Sequence, residues 1–238
     1  MGSAAPLLAM AAAGLAAAAP AHATWTIVAV DPVTREVGSA GASCTPFVAG
    51  VARLVPGRGA VVAQAQSNMA AKARASERIA AGVAPAAVIA EIANPAFDST
   101  FAGQQYGIAS LVRGGGDSAA FTGEQTPAAR GHRLGPGFAV QGNVLASEAV
   151  LDATARAFTA AAGKPLADRL LRALEAGSRA GGDARCGAKT AQSAYLGVAR
   201  PGDPPAMPSL RVVVATERED GRNPVALVRR RFDAAAGR

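Results

Sequence analysis

The order of the strand-forming and helix-forming segments is the feature that most constrains the fold of this 238-residue chain. Alternation of period two, with small and β-branched residues, predicts strands, whereas apolar residues spaced three or four apart predict helices. The predicted strands cover 24–30, 37–43, 51–55, 59–66, 106–113, 118–122, 138–142, 194–199 and 210–216. The predicted helices cover 72–81, 85–92, 148–162, 166–176 and 224–232. Strands therefore come in groups that are separated by helix pairs.

Grouped strands favour antiparallel sheets with segregated helices, because parallel strands need a crossover connection between them. Two such sheets, packed face to face and covered outside by the helix pairs, form a four-layer αββα sandwich. We therefore predict an α+β fold with two mainly antiparallel sheets. No linker-like stretch or internal repeat divides residues 24–238, so we expect one domain there.

Composition argues against several classes of partner. The net charge is +7, but aromatic residues make up only 4% of the chain, too few for a set of rings that stack on nucleic-acid bases. No His, Cys and Asp grouping has the spacing of metal ligands, and the Gly114–Gly116 run lacks the Lys-Ser/Thr of a phosphate-binding loop. We expect no nucleic-acid partner, no metal and no other cofactor.

The N-terminal segment predicts export. Residues 2–23 carry no Lys, Arg, Asp or Glu, and they end in Ala21-His22-Ala23, the small-x-small pattern of a signal-peptide cleavage site. A retained membrane anchor is the competing interpretation, but the apolar run is short and alanine-rich for a hydrocarbon layer about 30 Å thick. We predict a signal peptide over 1–23 and a periplasmic or secreted protein that has no membrane association after cleavage.

Cleavage after Ala23 would make Thr24 the first residue of the mature chain. An N-terminal threonine carries a hydroxyl nucleophile and an α-amine base in one residue, which is the equipment of N-terminal-nucleophile (Ntn) hydrolysis. The predicted sandwich is also the arrangement in which Ntn hydrolases place their first strand. A small polar residue after a cleavage site is common without any catalytic role, so a catalytically silent binding or structural domain stays open.

Several segments resemble the bacterial family called domain of unknown function 1028, an Ntn-hydrolase-like group. The matching segments are Thr24-Trp25-Thr26-Ile27-Val28-Ala29-Val30-Asp31, Gly38–Ser43, Ala120–Gly123, Gly131-His132-Arg133 through Gln141–Ala146, Gly181–Arg185 and Gln192–Leu196. They follow the family's order over essentially the whole chain after residue 23. The resemblance implies the Ntn-type sandwich and Thr24 as nucleophile, but it does not imply a substrate.

Cys44 and Cys186, the two cysteines of the chain, follow two of these motifs directly. In an exported protein an even pair favours a disulfide, which here would connect two walls of one cleft. A thiol hydrolase that uses Cys44 and His132 is the rival chemistry.

The predicted reaction is hydrolysis of a small amide, a peptide or a cell-wall fragment, with Thr24 as nucleophile and its own α-amine as base. Asn143 is a candidate oxyanion donor or a turn residue, and Ser43 is a candidate partner of the amine or a plain strand end. Arg53 is a candidate cation that lowers the pKa of the nucleophile, or a solvated side chain. Asp183 is a candidate to orient Thr24 or bind a substrate amine, or it caps a turn.

Three further residues are candidates for substrate binding: His132, Arg133 and Gln141. The His132-Arg133 pair suits a substrate carboxylate or simple loop packing. Association into a homo-oligomer is left open.

Overall fold

The computed structural model describes residues 24–112, 114–215, 222–235 and 237. The predicted signal peptide, residues 1–23, lies outside these residues, as do the predicted strand ends Arg113 and Thr216. Among the described residues, no helix is long and apolar enough to cross a membrane.

Ten strands and five α-helices are described. The strands are β1 Thr24–Val30, β2 Val37–Ser43, β3 Ala52–Val55, β4 Gly59–Ala65, β5 Gln104–Val112, β6 Gly115–Thr122, β7 Gly131–Gly135, β8 Phe138–Asn143, β9 Ser193–Ala199 and β10 Leu210–Val214. The helices are α1 Met69–Ala80, α2 Pro85–Ile92, α3 Ala149–Ala160, α4 Leu166–Arg179 and α5 Pro224–Ala235. Short 3-10 helices cover Ala49–Val51, Phe101–Gly103 and Ala184–Lys189.

The strands form two sheets in which every pair of neighbours is antiparallel. The large sheet has the order β10-β9-β2-β1-β8-β7, and the small sheet has the order β3-β4-β5-β6. The first strand therefore lies inside the large sheet, hydrogen-bonded to β2 on one side and to β8 on the other. Both ends of β1 are held by neighbouring strands, which fixes the position of Thr24.

Three apolar cores separate four layers. One core lies between the large sheet and α3, α4 and α5, where Leu170 and Leu174 of the strongly amphipathic α4 pack. A second lies between the small sheet and α1 and α2. The third lies between the two sheets and includes Val28 and Val62. The predicted α+β sandwich of two antiparallel sheets is confirmed.

Two details differ from the sequence-based expectation. The strand β7 was not predicted, because Gly131-His132-Arg133-Leu134-Gly135 has no apolar alternation; pairing with β8 at the sheet edge stabilises it. The strand β6 begins at Gly115, so Gly115–Asp117 lie in a strand paired with β5 rather than in the predicted turn.

Candidate active site

Four polar residues lie at one end of the large sheet, each at the end of a different strand. Thr24 begins β1 and Ser193 begins β9, whereas Ser43 ends β2 and Asn143 ends β8. Thr24 stands opposite Asn143 in the strand register, and Ser43 stands opposite Ser193. Antiparallel pairing thus brings together residues that are far apart in the sequence.

All four side chains belong to the face that looks toward the small sheet. Side chains alternate between faces along a strand. Trp25 of β1, Ala42 of β2 and Ala194 of β9 pack in the core on the helix side. Their neighbours at the strand ends therefore point between the sheets. This is the position in which the sequence predicted Thr24.

The Thr24 hydroxyl belongs to a short chain of hydroxyl groups. Thr24 Oγ1 donates to Ser43 Oγ at 3.3 Å, and Thr45 Oγ1 donates to the same oxygen at 3.0 Å. Ser43 therefore contacts the proposed nucleophile directly. The structure brings these two predicted site residues together.

Thr24 lines a small cavity, which we call the Thr24 pocket. Its volume is about 240 Å³, below the roughly 300–1,000 Å³ of drug-sized ligand sites. Its walls are mostly apolar and small; the lining residues are Thr24, Thr45, Phe47, Val48, Gly50, Val51, Gln64, Ala65, Ser67 and Met69. Phe47 and Met69 are 53% and 60% exposed. The pocket thus suits a small group with an apolar surface.

Strained backbone surrounds this pocket. Ala65 and Ser67 in its wall have φ values of 65° and 48°, and Val144, directly after Asn143, has a φ of 49°. The left-handed region is disfavoured for residues with a Cβ, and most strongly for β-branched ones such as valine. Such strain tends to occur at functional sites, where the surrounding structure enforces it.

Below the pocket, buried amide side chains connect the two sheets. Gln64 Nε2 donates to Gln105 Oε1 at 2.7 Å and to the Thr24 carbonyl oxygen at 3.3 Å. Asn143 Nδ2 donates to the same Gln105 oxygen at 3.1 Å, and Thr26 Oγ1 donates to Gln64 Oε1 at 2.7 Å. These bonds hold the first strand against the small sheet, so that Thr24 is fixed by hydrogen bonds in both sheets.

Two polar atoms at this end of the large sheet lack a hydrogen-bond partner among the described residues. Asn143 Oδ1 and Ser193 Oγ are buried and accept or donate no hydrogen bond among the described residues. A buried polar atom without a partner is costly, typically by about 1–3 kcal/mol. Asn143 is predicted to be an oxyanion donor or a turn residue; one N–H of its amide donates to Gln105 Oε1, and its oxygen is the atom without a partner among the described residues.

Asp183 lies behind the pocket and caps a turn. Its carboxylate accepts from the backbone nitrogen of Cys44 at 2.6 Å and from that of Arg185 at 3.0 Å, and it forms an ion pair with the Arg185 guanidinium. Its side chain is fully buried, and it begins the 3-10 helix Ala184–Lys189. Of the two predicted roles for Asp183, the structure shows the capping one.

Cys44 and Cys186 form a disulfide, with 5.6 Å between their Cα atoms. The bond joins the segment after β2, which supplies Thr45, Phe47 and Val48 to the pocket wall, to the segment that begins with Asp183. The predicted pairing is therefore present. Because both sulfur atoms are used, a Cys44 thiol is not available as a nucleophile in this form.

Arg53, the predicted cation, does not line the Thr24 pocket. Its neighbours Ala52 and Leu54 pack against the core between the sheets, and Arg53 itself is exposed beside a separate cavity. Lys72 of α1 donates from its ammonium to the carbonyl of Gly50, a residue of the pocket wall. Burial, together with the positive charge of Arg53, lowers the pKa of Lys72.

His132, Arg133 and Gln141 also lie away from the pocket, so their predicted role in binding substrate is not supported. Arg133 pairs with Glu148 and Asp152 of α3 on the outer side of the large sheet. His132 Nδ1 lies 3.0 Å from Thr122 Oγ1, and the Gln141 amide donates to Thr26 Oγ1. These three residues stabilise the packing around the site rather than line it.

The lowered pKa of His132 should make the free energy of unfolding depend on pH. Burial and the nearby Arg133 charge lower the pKa of His132 below its usual value. Below about pH 6.5 the unfolded chain therefore binds a proton that the folded chain does not, and the free energy of unfolding falls until the folded pKa is passed. Replacing His132 by Gln is expected to flatten this fall, as measured by urea denaturation between about pH 7 and 5. Equal slopes for the two proteins would contradict this prediction.

The protein is an α+β sandwich in which two antiparallel sheets pack between helix layers and a threonine begins a central strand. The model of the family of unknown function DUF1028 matches residues 24–222, a match that begins at Thr24. The chain belongs to this family.

A solved structure is similar over most of its length: the crystal structure of protein SPO2555 from Silicibacter pomeroyi, of the same family model. The two share 24% sequence identity with a TM-score of 0.75, over 90% of this chain and 89% of that one. At this identity the likeness shows the fold alone. No curated protein matches the chain significantly.

Several site residues were not singled out from the sequence: Lys72, Gln64, Gln105 and Ser193. Gln64 and Gln105 lie in or next to predicted strands, at positions that the structure buries. A polar side chain in an otherwise apolar strand is the signal that could have identified them, since buried polar groups require partners. No comparable signal identifies Lys72, because it lies in a helix with the periodicity of an ordinary amphipathic helix.

Proposed function

We propose that this protein is an N-terminal-threonine hydrolase that cleaves a small amide, with Thr24 exposed by removal of residues 1–23. The observation that carries the proposal is the position of Thr24: it begins a central strand, faces the space between the sheets, contacts Ser43 and lines a pocket. The start of the family match at Thr24 supports the same boundary.

The reaction follows from the two groups of one residue. Thr24 Oγ1 attacks the carbonyl carbon of the amide, and the α-amine of Thr24 accepts the hydroxyl proton, directly or through a water molecule. The amine then gives this proton to the leaving nitrogen as the C–N bond breaks, which leaves an ester on Thr24. Water attacks this ester and the amine accepts a proton from the water. The amine returns this proton to Thr24 Oγ1 as the ester C–O bond breaks, so the hydroxyl is restored and the acid product leaves.

The surroundings of Thr24 suit a free α-amine. In the full chain the Thr24 nitrogen is part of the peptide bond from Ala23, so it has no basic lone pair. Cleavage would create an amine with a pKa near 7.7–8.0 and additional N–H donors. Asn143, opposite Thr24 in the register, and Ser193, opposite Ser43, hold oxygens that lack partners among the described residues. We infer that the Asn143 oxygen, on the strand next to Thr24, is an acceptor for the mature N-terminus.

The Thr24 pocket favours a compact acyl group. Apolar side chains such as Val48, Val51 and Ala65 form much of its lining, and its volume of about 240 Å³ is below that of drug-sized ligand sites. An amide of a short aliphatic acid fits these walls better than a long peptide bound along its whole length.

The N-terminus of the exported protein tests this proposal first. We expect the intact mass and N-terminal sequence of protein recovered after export to begin at Thr24. Replacing Ala23 by Tyr should block cleavage, since the signal-peptide site requires a small residue there. This variant should keep residues 1–23 and lack the proposed amide hydrolysis by Thr24. A mature chain that begins at another residue would favour the silent binding domain instead.

A further inference from the structure

A second cavity, which we call the edge cavity, lies where the large sheet extends past the small one. The edge strand β3 of the small sheet faces β2 and β9, and the large sheet continues beyond β9 to β10. The cavity has a volume of about 230 Å³. It lies beside the 3-10 helix Ala49–Val51. Ala49 lines the edge cavity, whereas Gly50 and Val51 line the Thr24 pocket.

Two arginines line the edge cavity, Arg211 from β10 and, at its rim, Arg53 from the edge strand β3. Arg53 pairs with Val61, a residue of the core against α1 and α2, so its side chain starts from the outer face of the small sheet. Both arginines are exposed, and neither forms an ion pair among the described residues. Arg211 pairs with Gly197 in the register, on the face of β10 opposite to the core residues Val212 and Val214. Its side chain therefore belongs to the face that looks toward the small sheet.

The rest of the cavity carries no charge that would neutralise these arginines. Ser39 Oγ donates to the Ile27 carbonyl at 2.9 Å, so the Tyr195 hydroxyl, 2.7 Å away, donates to Ser39. This buried pair is neutral. Asp203, in the loop between β9 and β10, accepts from Arg200 N, Ser209 N and Ser209 Oγ, and is thus engaged within the loop.

The remaining walls are apolar, with Leu54, Pro205, Pro208 and Val213 among them. An arginine guanidinium binds a carboxylate through two parallel hydrogen bonds, and an aliphatic chain suits walls of this kind. We propose that the edge cavity binds a small aliphatic carboxylate, with Arg211 on its anionic end and Arg53 at the rim. This site is separate from Thr24 and does not depend on the proposed hydrolysis.

Calorimetric titration of the exported protein with acetate, butyrate and hexanoate tests the proposal, each paired with its neutral amide. We expect butyrate or hexanoate to bind and the matching amide to bind at least about tenfold more weakly, because the amide lacks the charge. Arg211→Gln should weaken carboxylate binding by about five- to tenfold, and Arg53→Gln, at the rim, should weaken it less. Arg58→Gln is the matched control, since it removes an exposed arginine outside the cavity and should change nothing.

Circular dichroism of each variant separates loss of binding from loss of folding. The proposal is overturned if no carboxylate binds, if acid and amide bind equally, or if the Arg58 variant weakens binding as much as the Arg211 variant. Inorganic phosphate that binds as tightly as the best carboxylate would also overturn it, because the apolar walls would then contribute nothing. Since binding is measured directly, failure of Thr24 as a nucleophile would leave these expectations unchanged.

Discussion

Replacing Thr24 by Ala is expected to abolish acylation of the mature protein by an activated short-chain ester such as p-nitrophenyl butyrate. The mature wild-type protein should be acylated on Thr24, detected by peptide mapping of the acylated residue. Loss of a catalytic nucleophile typically reduces the rate by about 10³-fold or more. Thr24→Ser should keep partial reactivity, because the hydroxyl and the amine both remain while the methyl group that restricts χ1 is lost.

The controls separate a chemical role from a structural one. Thr24→Ala removes the hydrogen bond from Thr24 Oγ1 to Ser43 Oγ; a bond of this kind contributes about 0.5–1.5 kcal/mol to stability, so the variant should fold. Thr34→Ala, at an exposed turn, should be acylated like the wild type. Acylation that persists in Thr24→Ala and disappears in Cys44→Ala would instead support the thiol mechanism. Acylation of neither wild type nor variants by a broad set of esters and amides would favour a silent binding domain.

The fold was predictable because the elements that form its layers have a clear hydrophobic periodicity in the sequence. Strong alternation in β1 and the three-to-four spacing of leucines in α4 are patterns that burial enforces in any sandwich of this kind. The unpredicted β7 has no such pattern, since it is an edge strand stabilised by backbone pairing with β8. Local signals thus predict the elements that build the cores, and they miss an element that depends on its neighbour.

The candidate site was predictable only in part, for a related reason. Thr24 is the first residue of one predicted strand and Ser43 is the last residue of the next. Antiparallel pairing of these two strands brings the two residues close. Arg53 was selected by its strand alone, and the direction of a side chain at an irregular sheet edge depends on the three-dimensional arrangement. Lys72 reaches the pocket wall from a helix on the outside of the small sheet. No sequence spacing indicates such a contact between layers.

Removing the disulfide is expected to lower the free energy of unfolding by as much as about 5 kcal/mol. Cys44 and Cys186 are 142 residues apart, so the bond closes a long loop and excludes many conformations from the unfolded chain. The comparison is between wild type and the double variant Cys44→Ser with Cys186→Ser, both in urea. A reductant should destabilise the wild type toward the double variant and leave the double variant unchanged.

The same double variant should also change the Thr24 pocket, because the disulfide holds the segment that carries three of its wall residues: Thr45, Phe47 and Val48. The hydrogen bond from Cys44 N to Asp183 remains in the variant, so the segment should loosen rather than detach. We therefore expect slower acylation of Thr24 under conditions in which the variant is still folded.

Denatured, unreduced wild-type protein should show no titratable thiol. Two free thiols, or equal stabilities with and without the bond, would contradict the prediction, because a covalent closure of this length must restrict the unfolded chain.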